Sequence, residues 1–210
     1  MTGGLSEETC ARAALSYLAE PADRRLARLL REHGAAVTLD AIRSGRPLGP
    51  ATAGQQASMD RWRVRLPELP RPEQLLAFRE RGIRLICPGD PEWPGQLADL
   101  GDDEPYALWA RGSADLRFSC LRSVAIVGAR AATAYGSYVA AEFAASVAAR
   151  GWAVVSGGAF GVDAAAHRGA LSADGVTIAV LACGVDVPYP TAHADLLDAI
   201  AANNSAWAAG

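Results

Sequence analysis

Two glycine-rich turns carry the residues whose types and spacing are best suited to chemistry. The first reads Gly128-Ala129-Arg130-Ala131-Ala132-Thr133-Ala134-Tyr135-Gly136 and follows the apolar run Val124–Val127. It offers a glycine bend, a guanidinium two residues on, and a hydroxyl at Thr133 placed to cap a helix. An arginine fork beside free backbone N–H groups suits phosphate oxygens better than a sugar. The second turn, Ser156-Gly157-Gly158-Ala159-Phe160-Gly161, puts three glycines and a serine ahead of a helical pattern. Its backbone admits the close approach of a phosphate, and Phe160 either packs in the core or stacks on a base. Each turn alone reads equally well as a tight connection packing strand against helix. The candidate phosphate-binding set is Gly128, Ala129, Arg130, Ser156, Gly157, Gly158 and Gly161, with no catalytic residue and no metal ligand assigned.

The first turn departs from the dinucleotide fingerprint GxGxxG, because the second glycine is missing. The following strand ends at Ser156-Gly157, where an acid would hold a ribose. A nicotinamide cofactor is therefore disfavoured, and no cofactor is expected. Asp163 and His167 lie one helical turn apart, on one face, within reach of a hydrogen bond. Without an adjacent nucleophile or a third group, helix capping and a packed histidine account for them better than acid–base chemistry, and no enzyme activity is expected. Cys10, Cys87, Cys120 and Cys183 form no CxxC pair, which argues against a zinc site or a disulfide frame and for buried thiols in a reducing cytosol. Arg61, Arg63 and Arg65 alternate around Trp62 in RWRVRLPELPR. A solvated strand or loop explains them, and they are assigned no site. His33 and His193 belong to no motif.

The elements that must position these turns follow from periodicity. The 210 residues, 50% hydrophobic and 20% charged, suffice for one domain or two small ones with a real core. All 20 basic residues are arginine against 23 acids, and a net charge of −3 leaves no global basic footprint. Residues 1–122 hold 17 arginines and 17 acids, whereas residues 123–210 hold 3 and 6, so any nucleic-acid contact must be local. No leader pattern opens the chain and no apolar run approaches the roughly 18 to 20 residues of a membrane span, so a soluble cytoplasmic protein is expected.

Apolar stripes predict helices over Cys10–Leu18 and Asp23–His33, with Pro21 as the breaker between them and Gly34 as the stop, then a short helix over Thr38–Arg43. Residues 44–60 read as a loop or linker, and Pro70–Arg81 as a helix. Strands are predicted over Gly82–Ile86 and Tyr106–Ala110, with a helical turn over Pro94–Leu100 between them. From Ser123 the pattern is regular: strands Val124–Val127, Trp152–Val155 and Val176–Leu181 alternate with helices Tyr138–Arg150 and Phe160–Leu171. Strand-ending glycines at 128, 157 and 184 recur at intervals of 29 and 27 residues, the length of a βαβ unit. The fold class expected is α/β, a parallel Rossmann-like sheet covered on both faces and preceded by a small helical N-terminal module. The domains fall at 1–70 and 71–210. A last helix is predicted over His193–Ile200. The tail AANNSAWAAG reads as no strand, which leaves one sheet edge unpaired and the sheet incomplete at its C-terminal side.

The segments IVGARAATAYG (126–136), SGGAFGVDAAAH (156–167) and GVTIAVLACGVDVPYP (175–190) resemble the DNA-processing protein A family, also called DprA or Smf. GDPEWPGQLADL (89–100) and ALWARG (107–112) are similar to that family's lead-in, so the likeness covers roughly 83–200 in order. The N-terminal helices resemble the sterile-alpha-motif-like or helix-hairpin-helix-like module of some members. The resemblance implies an extended Rossmann fold that binds single-stranded DNA without hydrolysing it, protects incoming DNA during natural transformation, and passes it to a RecA-type recombinase, acting as a homodimer. It matches Gly128 and Arg130 to the first phosphate loop and Ser156, Gly157 and Gly161 to the second glycine turn. Ala129 stands where many members have serine or threonine. The family continues through further strands, an arginine-rich segment and often a winged-helix domain, so this chain is expected to be truncated within its Rossmann-like domain. Two alternatives stand beside this reading. A nucleotide phosphoribohydrolase-like enzyme requires a PGGxGT-type loop with a nearby glutamate, which the sequence lacks, and a non-functional remnant would expose apolar strand edge and helix faces.

Overall fold

The computed structural model describes residues 6–20, 23–49 and 52–210. Packing divides the chain into two units, Met1–Ala77 with Gln96–Leu108 and Gly210, and Phe78–Gly95 with Trp109–Ala209.

The first unit contains α1 (Glu7–Leu18), α2 (Arg24–His33), α3 (Ala35–Ser44) and α4 (Ala53–Val64). Leu15, Leu18, Leu26, Ile42 and Trp62 form its buried centre. Each of the first three helices starts on a side-chain cap. Ser6 Oγ accepts the Thr9 N–H at 3.0 Å, and the Asp23 carboxylate accepts those of Arg25 and Leu26. α3 follows Gly34, which has no side chain to offer, so the Glu8 carboxylate of α1 accepts the Ala35 and Ala36 N–H groups at 3.0 and 3.1 Å. The predicted breaker Pro21 lies outside the described residues.

The loop predicted over 44–60 is shorter than expected. α4 begins at Ala53, and RWRVR is the last turn of that helix running into a tight bend, not a strand or loop. Burial of Ser58, Met59 and Trp62 on one side of α4 overrides the weak helix signal of its small polar residues. Arg61 pairs with Asp23 at 3.3 Å and Arg65 with Glu20 at 3.4 Å.

The remaining elements are α5 (Pro72–Glu80), β1 (Ile83–Ile86), a 3₁₀ segment (Gly95–Asp103), β2 (Leu108–Gly112), α6 (Leu116–Leu121), β3 (Ser123–Ala125), α7 (Ala134–Ala148), β4 (Ala153–Ser156), α8 (Val162–Ser172), β5 (Thr177–Val180), α9 (Ala194–Ala202) and β6 (Ala206–Ala209). The six strands form one sheet ordered β1-β2-β6-β5-β4-β3. β3, β4, β5 and β6 run parallel, with Val124 beside Val154, Val155 beside Ile178, and Ala179 beside Trp207. β2 pairs antiparallel with β6.

The tail is therefore a strand, which corrects the expectation of an unpaired edge beside β5. β6 lies between β5 and β2 with all four residues buried, and Ser205 just before it accepts the Thr177 N–H at 2.9 Å. Alanine is a poor strand former, so the tail carries no local signal. Pairing on both sides and the burial of Trp207 in a cluster with Leu197 and Ile200 decide its structure instead.

Small residues bring α7 and α8 together. Ala144, Ala148, Ala166 and Ala170 share a cluster with Val154, and a Cβ on Gly169 would strike the Ala141 carbonyl. This close approach sets the spacing between the two helices. Truncating Trp207, which is fully buried, to alanine is expected to cost about 3–5 kcal/mol in a denaturant titration. A loss below about 1 kcal/mol, the size expected at an exposed site, would place residues 206–209 outside the core.

Candidate functional site

The chain leaves the carboxyl ends of β3, β4 and β5 in three connections that touch one another, the region where open parallel sheets bind ligands. Gly128, Ala129 and Arg130 are exposed in the first. Thr133 caps α7, its Oγ accepting the Gly136 N–H at 3.1 Å. Among the described residues no carboxylate is paired with Arg130. The α7 N-terminus and this guanidinium therefore offer uncompensated positive potential at one turn.

The second turn is pressed against the first. The Val162 N–H donates to the Ala129 carbonyl at 3.2 Å. Gly161 has φ 77°, and a Cβ there would overlap the carbonyl oxygens of Ala129 and Arg130, so only glycine serves. Gly128 meets the Val162 side chain in the same way.

Within the second turn the expected phosphate-binding residues make bonds inside the protein. Ser156 is buried and its hydroxyl donates to the Ile126 carbonyl at 2.6 Å, bracing β4 against β3. The Gly157 N–H donates to Asp163 Oδ2 at 3.1 Å, joined by the Ala159 N–H at 3.4 Å. Gly158 is buried, and its carbonyl accepts the His193 Nδ1–H at 2.9 Å. The carboxylate of Asp163 thus fills the anion position at the start of α8. These three residues shape the turn, while Gly128, Ala129 and Arg130 stand exposed in the first.

Asp163 and His167 do not bond to each other. The His167 Nδ1–H donates to Thr177 Oγ1 at 2.7 Å, because that hydroxyl itself donates to the Val154 carbonyl at 2.8 Å. This leaves Nε2 as the bare nitrogen, buried without a partner. Burial pushes the His167 pKa down to about 4, against the opposing pull of Asp163. A fully buried neutral imidazole in this place holds α8 to β5 and β4.

The third connection, Leu181–Pro190, contains none of the candidate phosphate-binding residues. It leads to His193, which is buried, bonds to Gly158, and packs its ring obliquely against Phe160 with centroids 4.6 Å apart. Nothing local in the sequence links positions 158, 160 and 193. Among the described residues no group of His, Cys, Asp and Glu is arranged to hold a metal ion, and no helix is long and apolar enough to cross a membrane.

Fold and site together define a Rossmann-like domain with an exposed glycine–arginine turn at the carboxyl edge of its parallel strands. Residues 84–208 match the family model of DNA recombination-mediator protein A, and the chain belongs to that family. It is 44% identical over 202 residues to the DNA processing protein DprA of Mycobacterium tuberculosis, an alignment covering 90% of this chain and 49% of that one. The chain thus spans about half the length of that curated relative. The X-ray structure of DNA processing protein A from Streptococcus pneumoniae shares the fold with a TM-score of 0.65 at 22% identity, covering 98% of this chain and 67% of that one. DNA processing protein A from Helicobacter pylori, whose structure describes a single-stranded DNA binding mode, aligns with a TM-score of 0.52 at 30% identity over 60% of this chain and 54% of that one.

The depressed pKa of His167 makes a signed prediction. Its folded value lies below the unfolded value of about 6.5, so its stabilising contribution is complete above that value and declines as pH falls toward 4. Urea titrations should show roughly 2 kcal/mol less stability at pH 5 than at pH 7.5 from this group. His167→Asn should be less stable at pH 7.5 and should flatten that dependence; an unchanged slope in the variant would assign it to other groups.

Proposed function

We propose that this chain binds single-stranded DNA through phosphate contacts at Gly128, Ala129 and Arg130, and that it holds the strand without cleaving it. The observation that carries the reading is an exposed, carboxylate-free arginine on a glycine bend at the carboxyl end of β3, beside the N-terminus of α7. Gly161 supports the bend from behind, and Ser156, Gly157 and Gly158 keep the neighbouring turn in shape. Membership of the recombination-mediator family and the single-stranded DNA binding of the H. pylori relative support the same ligand. The wider role follows the family: cytoplasmic protection of DNA entering by natural transformation and its transfer to a RecA-type recombinase, with two copies acting as a homodimer. Contacts to backbone phosphates carry little base identity, so binding is sequence-independent.

Fluorescence anisotropy of a labelled oligothymidine at several salt concentrations tests the reading. Two or three phosphate contacts predict a log–log salt slope of roughly −1.4 to −2.1, and Arg130→Ala should weaken binding and flatten the slope by about 0.7. Absence of saturable binding by the folded chain, or an Arg130→Ala variant that binds like the parent, would overturn it.

A further inference from the structure

We infer that Phe160 is a nucleobase-stacking platform, so that the second glycine turn supplies a base subsite beside the phosphate contacts of the first. The inference rests on the single-stranded DNA reading and adds the part of the ligand that phosphate contacts leave untouched.

Phe160 is 47% exposed, although it stands in a turn whose neighbours Gly158 and Asp163 are buried. A phenyl ring in that place contributes little to the core, yet it does not hang free. It lies against the His193 ring with centroids 4.6 Å apart and planes inclined by 59°. His193 is 5% exposed, and its Nδ1–H holds the Gly158 carbonyl at 2.9 Å, two residues before Phe160. The ring is therefore backed by a fixed partner anchored to the same turn, and ordering it on a ligand costs little rotamer entropy.

Its neighbour Gly161 packs on the Ala129 and Arg130 carbonyls so closely that no Cβ fits. The backbone carrying the ring and the backbone carrying the phosphate donors are thus in contact on one ledge. One strand of nucleic acid presents phosphates and bases side by side, and every base offers a π-face. Phe160 is the group that touches the base, and His193 is a positioning residue acting through it.

The test compares a labelled oligothymidine with an abasic oligomer of the same phosphate count. The wild-type chain should prefer oligothymidine. Phe160→Ala should lower oligothymidine affinity roughly 5- to 150-fold, the range for one stacked base, while leaving abasic binding and the salt slope unchanged. Phe160→Trp should keep the preference. His193→Asn retains an N–H for Gly158 but removes the backing ring, and should lose part of the preference with abasic binding intact. Equal wild-type affinity for both oligomers, or a Phe160→Ala loss that is the same on both, would overturn the platform alone. Failure of the wild type to bind either oligomer, or indifference of abasic binding to Arg130→Ala, would bring down the phosphate reading and this inference with it.

Discussion

One buried carboxylate governs the geometry of the site. Asp163 stands in the first turn of α8 and collects the Gly157 and Ala159 N–H groups at 3.1 and 3.4 Å. Hydrogen bonds to a charged acceptor contribute about 1.5–3 kcal/mol each. The charge also sits where the positive end of the α8 dipole favours it. In many open α/β sheets an anionic ligand takes this place, whereas here the chain supplies its own. The second turn is consequently held in shape without a ligand, and an incoming phosphate would meet a like charge there. Among the described residues no carboxylate pairs with Arg130 of the first turn, and the proposed function places the phosphate there for that reason.

That rigidity passes to the first turn through backbone contact. Gly161 lies against the Ala129 and Arg130 carbonyls, and Val162 donates to Ala129 at 3.2 Å. Behind the ledge, Gly169 lets α8 approach the Ala141 backbone of α7. A larger residue at either glycine would force the chains apart, since packed interiors do not absorb an added methyl without displacement. The glycines of this domain therefore do two jobs: some turn the chain, and others set the distance between elements that carry the site.

The regular part of the fold was legible because its signals are local. Apolar runs ended by Gly128, Gly157 and Gly184 mark parallel strands, and alanine-rich stretches between them mark helices. Three elements escaped, the short helix α6 among them. α4 begins among small polar residues and is held by burial of Met59 and Trp62, and β6 is an alanine segment made a strand by β5 and β2 on either side. Both are decided by partners distant in sequence, which periodicity cannot see. The site divides in the same way. Residue type and position expose Arg130 on its glycine bend, but the capture of Gly157 by Asp163, the Ser156 brace to Ile126 and the seating of Phe160 on His193 are tertiary facts. The hydrogen bond between positions 158 and 193 joins residues that belong to no common motif.

Charge then limits what phosphate contacts achieve. The chain carries a net charge of −3, and residues 123–210 contain 3 arginines, one of which, Arg150, lies just past α7 and bonds to Ser146 of that helix. Few counterions are released by so few cations, and that contribution shrinks as salt rises. Stacking is not screened in this way, because it draws on dispersion and the removal of apolar surface from water. Under the proposed function, an aromatic ring on the ledge supplies affinity where the electrostatic part fades, and it does so without reading sequence. A weakly charged domain that must accept any single strand gains more from one well-backed ring than from another exposed arginine, since the ring adds affinity without deepening the dependence on salt.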